Sequence, residues 1–238
     1  MASSAEGGTR ALEGRAAVVT GGSRGIGAAV ALALARHGAR VLAVSRRGTA
    51  PMQHAQAGAI EAIAADVSTE DGVKQLTDRA GVPDIVVHGA GAFALASLPD
   101  TPVAAFDRML AVNLRAAFLL ARAWLPGMTA RGSGDFVSIG SVAGRVALAG
   151  NAAYAASKFG LRGLHAVLEL ELRGSGVRAT LVEPSATATE LWDEVDGAGY
   201  GLPPREAMLD SAAVADAVLY AVTRPAGVAI PNLLIGRG

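Results

Sequence analysis

The segment NAAYAASKFG, residues 151–160, sets Tyr154 four residues ahead of Lys158. The chain writes nearly all of its positive charge as arginine and holds only two lysines and three tyrosines. Such a spacing arises by chance in roughly 2 to 3 % of sequences of this composition. Ala152 to Leu172 lack proline and are rich in Ala and Leu, which predicts a helix, and residues four apart on a helix share a face. A phenol ionises near pH 10, and bringing it to neutrality takes about 4 kcal/mol. One cation about 4 Å away, at an effective dielectric near 20, supplies on the order of 4 kcal/mol. The pair is therefore expected to move a proton, onto a carbonyl oxygen as hydride reaches its carbon or off an alcohol in reverse. A half-buried tyrosine above a solvated lysine is the plainer alternative.

That chemistry needs a second donor on the oxygen and a hydride source beside the carbon. Ser141, in VSIGSVAG at the end of the fifth expected strand, is the candidate donor, because ligands of open α/β sheets sit at the carboxyl edge. Ser138 lies inside the strand and suits a structural role. Asn113 is an amide in an apolar helical stretch; it either bridges the lysine to solvent through a water or satisfies buried backbone.

Positioning these groups falls to an alternation of short β-branched runs and longer Ala/Leu-rich stretches, which implies a parallel sheet covered by helices on both faces. Strands are expected at Ala16–Thr20, Arg40–Ser45, Ala59–Asp66, Asp84–His88, Asp135–Ser141, Arg178–Glu183 and Val228–Ile235. Ser68 and Thr101–Pro102 are read as helix starts. No linker or repeat divides the chain, so residues 15–238 form one expected domain behind a small, polar, Gly-rich tail at 1–14. Residues 190–210 are the one long irregular segment and are read as a substrate lid.

Directly after the first strand, TGGSRGIG opens a helix. Gly21, Gly25 and Gly27, with Ser23 and Ile26 between them, let backbone N–H groups approach a pyrophosphate at the positive end of the helix dipole. At the end of the second strand, where an acid would hold the ribose 2′-hydroxyl of NAD, stand Ser45, Arg46 and Arg47. Together with Arg24 they suit the 2′-phosphate of NADP(H). A solvated basic turn is the alternative. Asp66 is expected to accept from an adenine amino group with Val67 beside the ring, or else to cap a helix. In HGAG, Ala90 and Gly91 allow close backbone approach.

Composition narrows the remaining classes. Twenty-one basic residues balance twenty-one acidic ones, which leaves no global field for nucleic acid or an anionic membrane surface. The chain has no cysteine, which removes thiol catalysis and thiolate zinc sites and accords with a cytoplasmic location. The most apolar run, residues 109–126, is broken by Asn113, Arg115 and Arg122 and suits a buried helix rather than a membrane span.

These motifs together resemble the classical short-chain dehydrogenase/reductase family. TGGSRGIG is similar to its TGxxxGIG loop, VNL to its helix Asn, and Ser141 with YAASK to its Ser and Tyr-x-x-x-Lys set. The resemblance implies an α/β, Rossmann-type doubly wound parallel sheet of seven strands in the order 3-2-1-4-5-6-7, with helices on both faces. It implies a tetrad of Asn113, Ser141, Tyr154 and Lys158, with Lys158 also holding the nicotinamide ribose and Pro184, Thr187 and Thr189 near the cofactor. A homo-oligomer, tetramer or dimer, built on paired long helices follows too. Three departures stand out: His88 replaces an amide, Ser185 replaces a glycine after Pro184, and the chain ends in AIPNLLIGRG without Gly-Gly. The expected activity is NADPH-dependent interconversion of a ketone and a secondary alcohol, on a small carbonyl compound held by Phe93, Leu95, Leu191, Trp192, Val195, Tyr200 and Leu202. The alternatives are a 3-oxoacyl-carrier-protein reductase, using Arg115, Arg122, Arg131 or Arg145 to meet its carrier, and a non-catalytic NADP-binding sensor or scaffold.

Overall fold

The computed structural model describes residues 11–51, 60–193 and 200–237. Seven parallel strands, β1 (Ala16–Thr20), β2 (Arg40–Ser45), β3 (Ile60–Ala64), β4 (Ile85–His88), β5 (Gly134–Ile139), β6 (Val177–Pro184) and β7 (Asn232–Ile235), form one sheet. Their order is β3-β2-β1-β4-β5-β6-β7, the order implied by the family resemblance. The tail at 1–10, residue 59 of the expected third strand and Val195 of the lid lie outside the described residues. Residues 11–14, read as part of the tail, belong to the folded body: Leu12 is buried and its N–H donates to His37 O.

Alternation along each strand divides the core into two layers. Ala17 and Val19 of β1 pack with α1 (Gly25–Arg36) and α6 (Ser211–Val222), whereas Val18 faces the opposite layer. That layer holds α2 (Glu70–Ala80), α4 (Ala116–Arg131) and α5 (Ala152–Glu171), with Trp124, Phe136 and Met128 at its centre. Both faces of the central strands are covered, so those strands read as continuous apolar runs rather than alternating ones.

Boundaries differ from expectation where local chemistry intervenes. Thr69, not Ser68, caps α2: its hydroxyl accepts from Gly72 N at 3.0 Å. Ser68 instead bonds the Asp66 carboxylate. Pro102, not Thr101, stands at the cap of α3 (Val103–Leu110), and Thr101 Oγ1 turns back to Ser97 O. β7 starts at Asn232 rather than Val228, just after Pro231, which has no N–H to give the ladder. β5 stops at Ile139 because Ser141 leaves the sheet to cap the short turn Val142–Gly144. Between α3 and α4 the chain passes without a break through a π-helical turn, Ala111–Arg115, which carries Asn113.

Candidate active site

The glycine turn after β1 is shaped by space as well as by dihedrals. Gly21 has φ +69°, and a Cβ there would lie 2.7 Å from Gly89 O; a Cβ on Gly27 would lie 2.3 Å from Gly21 O. Only glycine lets β1, β4 and α1 meet this closely. Arg24 precedes α1 without a side-chain capping bond, and no acid occupies the first turn. The first N–H groups of α1 thus remain for an anion.

A groove of about 600 Å³ runs from this turn along the carboxyl edge. Gly21, Ser23, Arg24, Gly25, Ile26 and Gly27 form one wall. Ser45, Arg46, Arg47, Asp66 and Val67 close one end, and Ala90, Gly91 and Thr189 lie along the rest. The residues fit a dinucleotide: the cradle is one that a Cβ would fill, and the guanidiniums of Arg24, Arg46 and Arg47 line the same groove. Asp66 does not cap α2. Its Oδ1 accepts from Ser68 N at 3.0 Å and Ser68 Oγ at 2.6 Å, and these bonds, with help from nearby Arg46, hold its carboxyl below the usual range despite partial burial. Asn113, Tyr154, Lys158, Pro184 and Thr187 do not line this groove.

Arg108 and Val112 line the groove as well, and the sequence reading missed them. The signal was a spacing of four that aligns both on one helix face.

The candidate proton-handling residues lie where α5 meets the end of β5. The Ser141 hydroxyl acts on the Tyr154 phenol to favour its ionised form, and Ser141 Oγ accepts from Ala143 N at 3.1 Å. Lys158 is 4 % exposed. Its Nζ lies 5.5 Å from the Tyr154 ring centroid and donates to Ile139 O at 2.8 Å. Ser138 is buried within β5, its hydroxyl without a protein partner, apart from this group.

Electrostatics correct one expectation. Burial pushes the Tyr154 phenol up to about 12, outweighing the Ser141 bond that pulls it down. Burial also lowers Lys158 to about 8. The sequence argument counted the Coulomb attraction and left out the cost of burying a phenolate. Burial therefore works against the expected tuning of the phenol toward neutrality.

Asn113 resolves between its two readings. Its Oδ1 accepts from Ala92 N at 2.8 Å, and its Nδ2 donates to Ala92 O and to Ser157 Oγ, each at 2.9 Å. The side chain is spent on satisfying the strand-like segment after β4. Its own carbonyl faces His88 Nε2 at 3.3 Å. Because a carbonyl only accepts, Nε2 carries the proton and Nδ1 faces Thr20 Oγ1 at 3.4 Å. Thr20 Oγ1 accepts in turn from Gly89 N and Ala90 N. The His88 imidazole thereby ties the glycine-rich end of β4 to the Asn113 turn. Burial, reinforced by Lys158, lowers it to about 3 and keeps it neutral.

Three of the four arginines considered for a carrier protein are otherwise engaged. Arg115 bonds Ser68 O and pairs with Glu70; Arg131 bonds Pro83 O at the amino edge of the sheet; Arg145 pairs with buried Glu183 at 2.5 Å and bonds Asn232.

A dinucleotide-shaped groove beside a Ser, Tyr and Lys cluster defines an α/β oxidoreductase that acts on CH–OH or C=O groups. The sequence pattern of the short chain dehydrogenases matches residues 15–198, and the chain belongs to that family. It is 37 % identical over 237 residues to glycine betaine reductase ATRR of Emericella nidulans, covering 94 % of this chain but only 19 % of that much longer protein. D-threitol dehydrogenase of Mycolicibacterium smegmatis is 37 % identical over 195 residues, 76 % of this chain and 75 % of that one. Among solved structures, a metagenomic short-chain oxidoreductase in complex with NADP superposes with a TM-score of 0.80 at 34 % identity, covering 96 % of this chain and 99 % of that one. The closed form of serine dehydrogenase complexed with NADP+ gives 0.82 at 26 % identity, covering 92 % and 94 %. The family works with a nicotinamide cofactor. No helix among the described residues is long and apolar enough to cross a membrane.

Proposed function

We propose that the protein is an NADPH-dependent reductase that converts a ketone to a secondary alcohol. The observation that carries this reading is the meeting of Tyr154 with buried Lys158, whose Nζ lies 5.5 Å from the Tyr154 ring and donates to Ile139 O at the end of β5. Arg24, Arg46 and Arg47, all lining one groove, speak for NADP(H) over NAD(H), and the NADP-bound neighbours accord with this. A reduced nicotinamide held in that groove supplies the hydride.

The chain's own part is to hold and protonate the oxygen. Ser141 and Tyr154 present two hydroxyls to the carbonyl oxygen, and Tyr154 gives up its proton as negative charge gathers there. Lys158, charged below about pH 8, favours the phenolate that remains. The engagement of Arg115, Arg131 and Arg145 within the chain counts against a carrier-protein site built on them, and a proton donor so placed argues against a pure sensor. Phe118 on α4 and Phe159, Val167 and Leu170 on α5 are exposed, which accords with association through these helices.

Tyr154→Phe tests the reading. With NADPH and a ketone panel followed at 340 nm, turnover should fall by roughly 10²- to 10⁴-fold while NADPH affinity stays within about twofold. Turnover retained in the variant rejects the proton-transfer role.

A further inference from the structure

The groove and the proton donor differ in access. The groove is open, yet neither Ser141 nor Tyr154 lines it. The Tyr154 ring instead begins a run of three aromatic rings. Phe93 meets Tyr154 edge to face at 4.8 Å, and Trp192 meets Phe93 at 4.9 Å. The chain has only two Trp, three Tyr and five Phe, so three in one chain of contacts is a concentration.

Both covering rings are held from behind. Phe93 follows Ala92, whose N–H and C=O are both clamped by Asn113. Trp192 Nε1 donates to Thr187 O at 2.8 Å. Farther along the lid the Tyr200 ring lies on Gly150, where a Cβ would come within 2.0 Å of it. Within the same segment Arg205 pairs with Asp193 at 2.9 Å. The side chain against the phenol ring is flat and uncharged.

We propose that Phe93 and Trp192 are specificity-determining residues that select carbonyl compounds bearing an aryl group next to the C=O. The inference rests on the reductase reading and deepens it. A substrate that reaches the Tyr154 hydroxyl displaces edge-to-face contacts between rings. An aryl substituent restores contacts of the same kind, whereas a saturated group of similar size restores only area. Asn113, by fixing Ala92, acts as the positioning residue for the wall.

The test compares acetophenone with cyclohexyl methyl ketone, using NADPH, in the wild type, Phe93→Leu and Trp192→Leu. Leucine keeps an apolar side chain and removes the ring. The aryl-to-cyclohexyl ratio of kcat/KM should fall by about 5- to 10-fold in either variant, carried by KM, with NADPH affinity unchanged. A ratio that moves less than about twofold in both overturns the proposal. A second measurement needs neither variant nor turnover: calorimetric titration of 1-phenylethanol and 1-cyclohexylethanol into the wild-type protein saturated with NADPH. Binding of the aryl alcohol at least about fivefold tighter supports the aromatic wall; equal binding overturns it. If the aryl preference in binding appears while neither ketone turns over, the reductase reading fails and the wall stands. If both ketones turn over without preference, the reverse holds.

Discussion

The two edges of the sheet are built on opposite terms. At the amino edge, buried Asp135 is gripped by Arg15 at 2.5 Å and by Arg178 through 2.7 and 3.0 Å bonds. Both guanidiniums go on to bond carbonyls at the ends of neighbouring elements, including Val222 O. Toward the carboxyl edge and along α5, some buried polar atoms are left over instead: Ser138 Oγ, Asn151 Oδ1, Glu183 Oε1 and both ring nitrogens of His165 have no hydrogen-bond partner among the described residues. Here too lie the groove, a buried lysine and a phenol held far from its ordinary pKa. Charges satisfied in place hold one edge together. The other edge carries the groove and groups whose pKa values are strongly shifted, the pattern of a functional site.

Removing the centre of the paired edge is the strongest way to break this contrast. Asp135→Ala leaves two partly buried guanidiniums without their carboxylate and should cost about 3–5 kcal/mol of unfolding free energy in a denaturant titration. NADPH affinity at a temperature where the variant is folded should be unchanged, because the substitution is made at the far edge of the sheet.

The unpaired side has its own signature in acid. His165 leans toward the Ala179 carbonyl without reaching hydrogen-bond geometry, and burial lowers it to about 4. Between about pH 6.5 and 4 the unfolded chain binds a proton that the folded protein refuses. The stability this group contributes is complete above its unfolded value and is lost as pH falls toward the folded one. His165→Gln should flatten the pH dependence of stability over that window, by about 3 kcal/mol at pH 4 relative to wild type. Parallel pH curves for the two proteins would remove His165 from the account.

The smallest expected effect sharpens the contrast within the groove itself. Arg46→Ala should weaken NADPH binding by about tenfold, the worth of one charge-assisted bond. It should leave NADH binding within about twofold and stability within about 0.5 kcal/mol. Equal losses for both coenzymes would mean that Arg46 does not meet a 2′-phosphate.

Much of this was legible in the residues. β1 and β2 run over the very spans their β-branched sequences suggested, and the α5 helix carries Tyr154 and Lys158 on one face. The Gly21–Gly27 turn was readable because a βα junction of this geometry requires glycine. Less legible were the helix starts, where Ser68 and Thr69 offer the same hydroxyl one residue apart and only Asp66's claim on Ser68 leaves Thr69 to cap. Arg108 went unnoticed because its four-residue spacing to Val112 marks a shared helix face but not what that face meets.

By itself the sequence determined the order of strands and helices, the glycine cradle and the placing of Tyr154 and Lys158 on one helix face, because these follow from periodicity and spacing within a few residues. The tertiary structure alone decided the sign of Tyr154's shift, the assignment of Lys158 to Ile139 O, the use of Asn113 as a clamp on Ala92 and the meeting of Phe93 with Trp192. Desolvation depends on how much protein surrounds a group, and contacts between distant segments depend on how elements pack. Neither is written in the local order of residues.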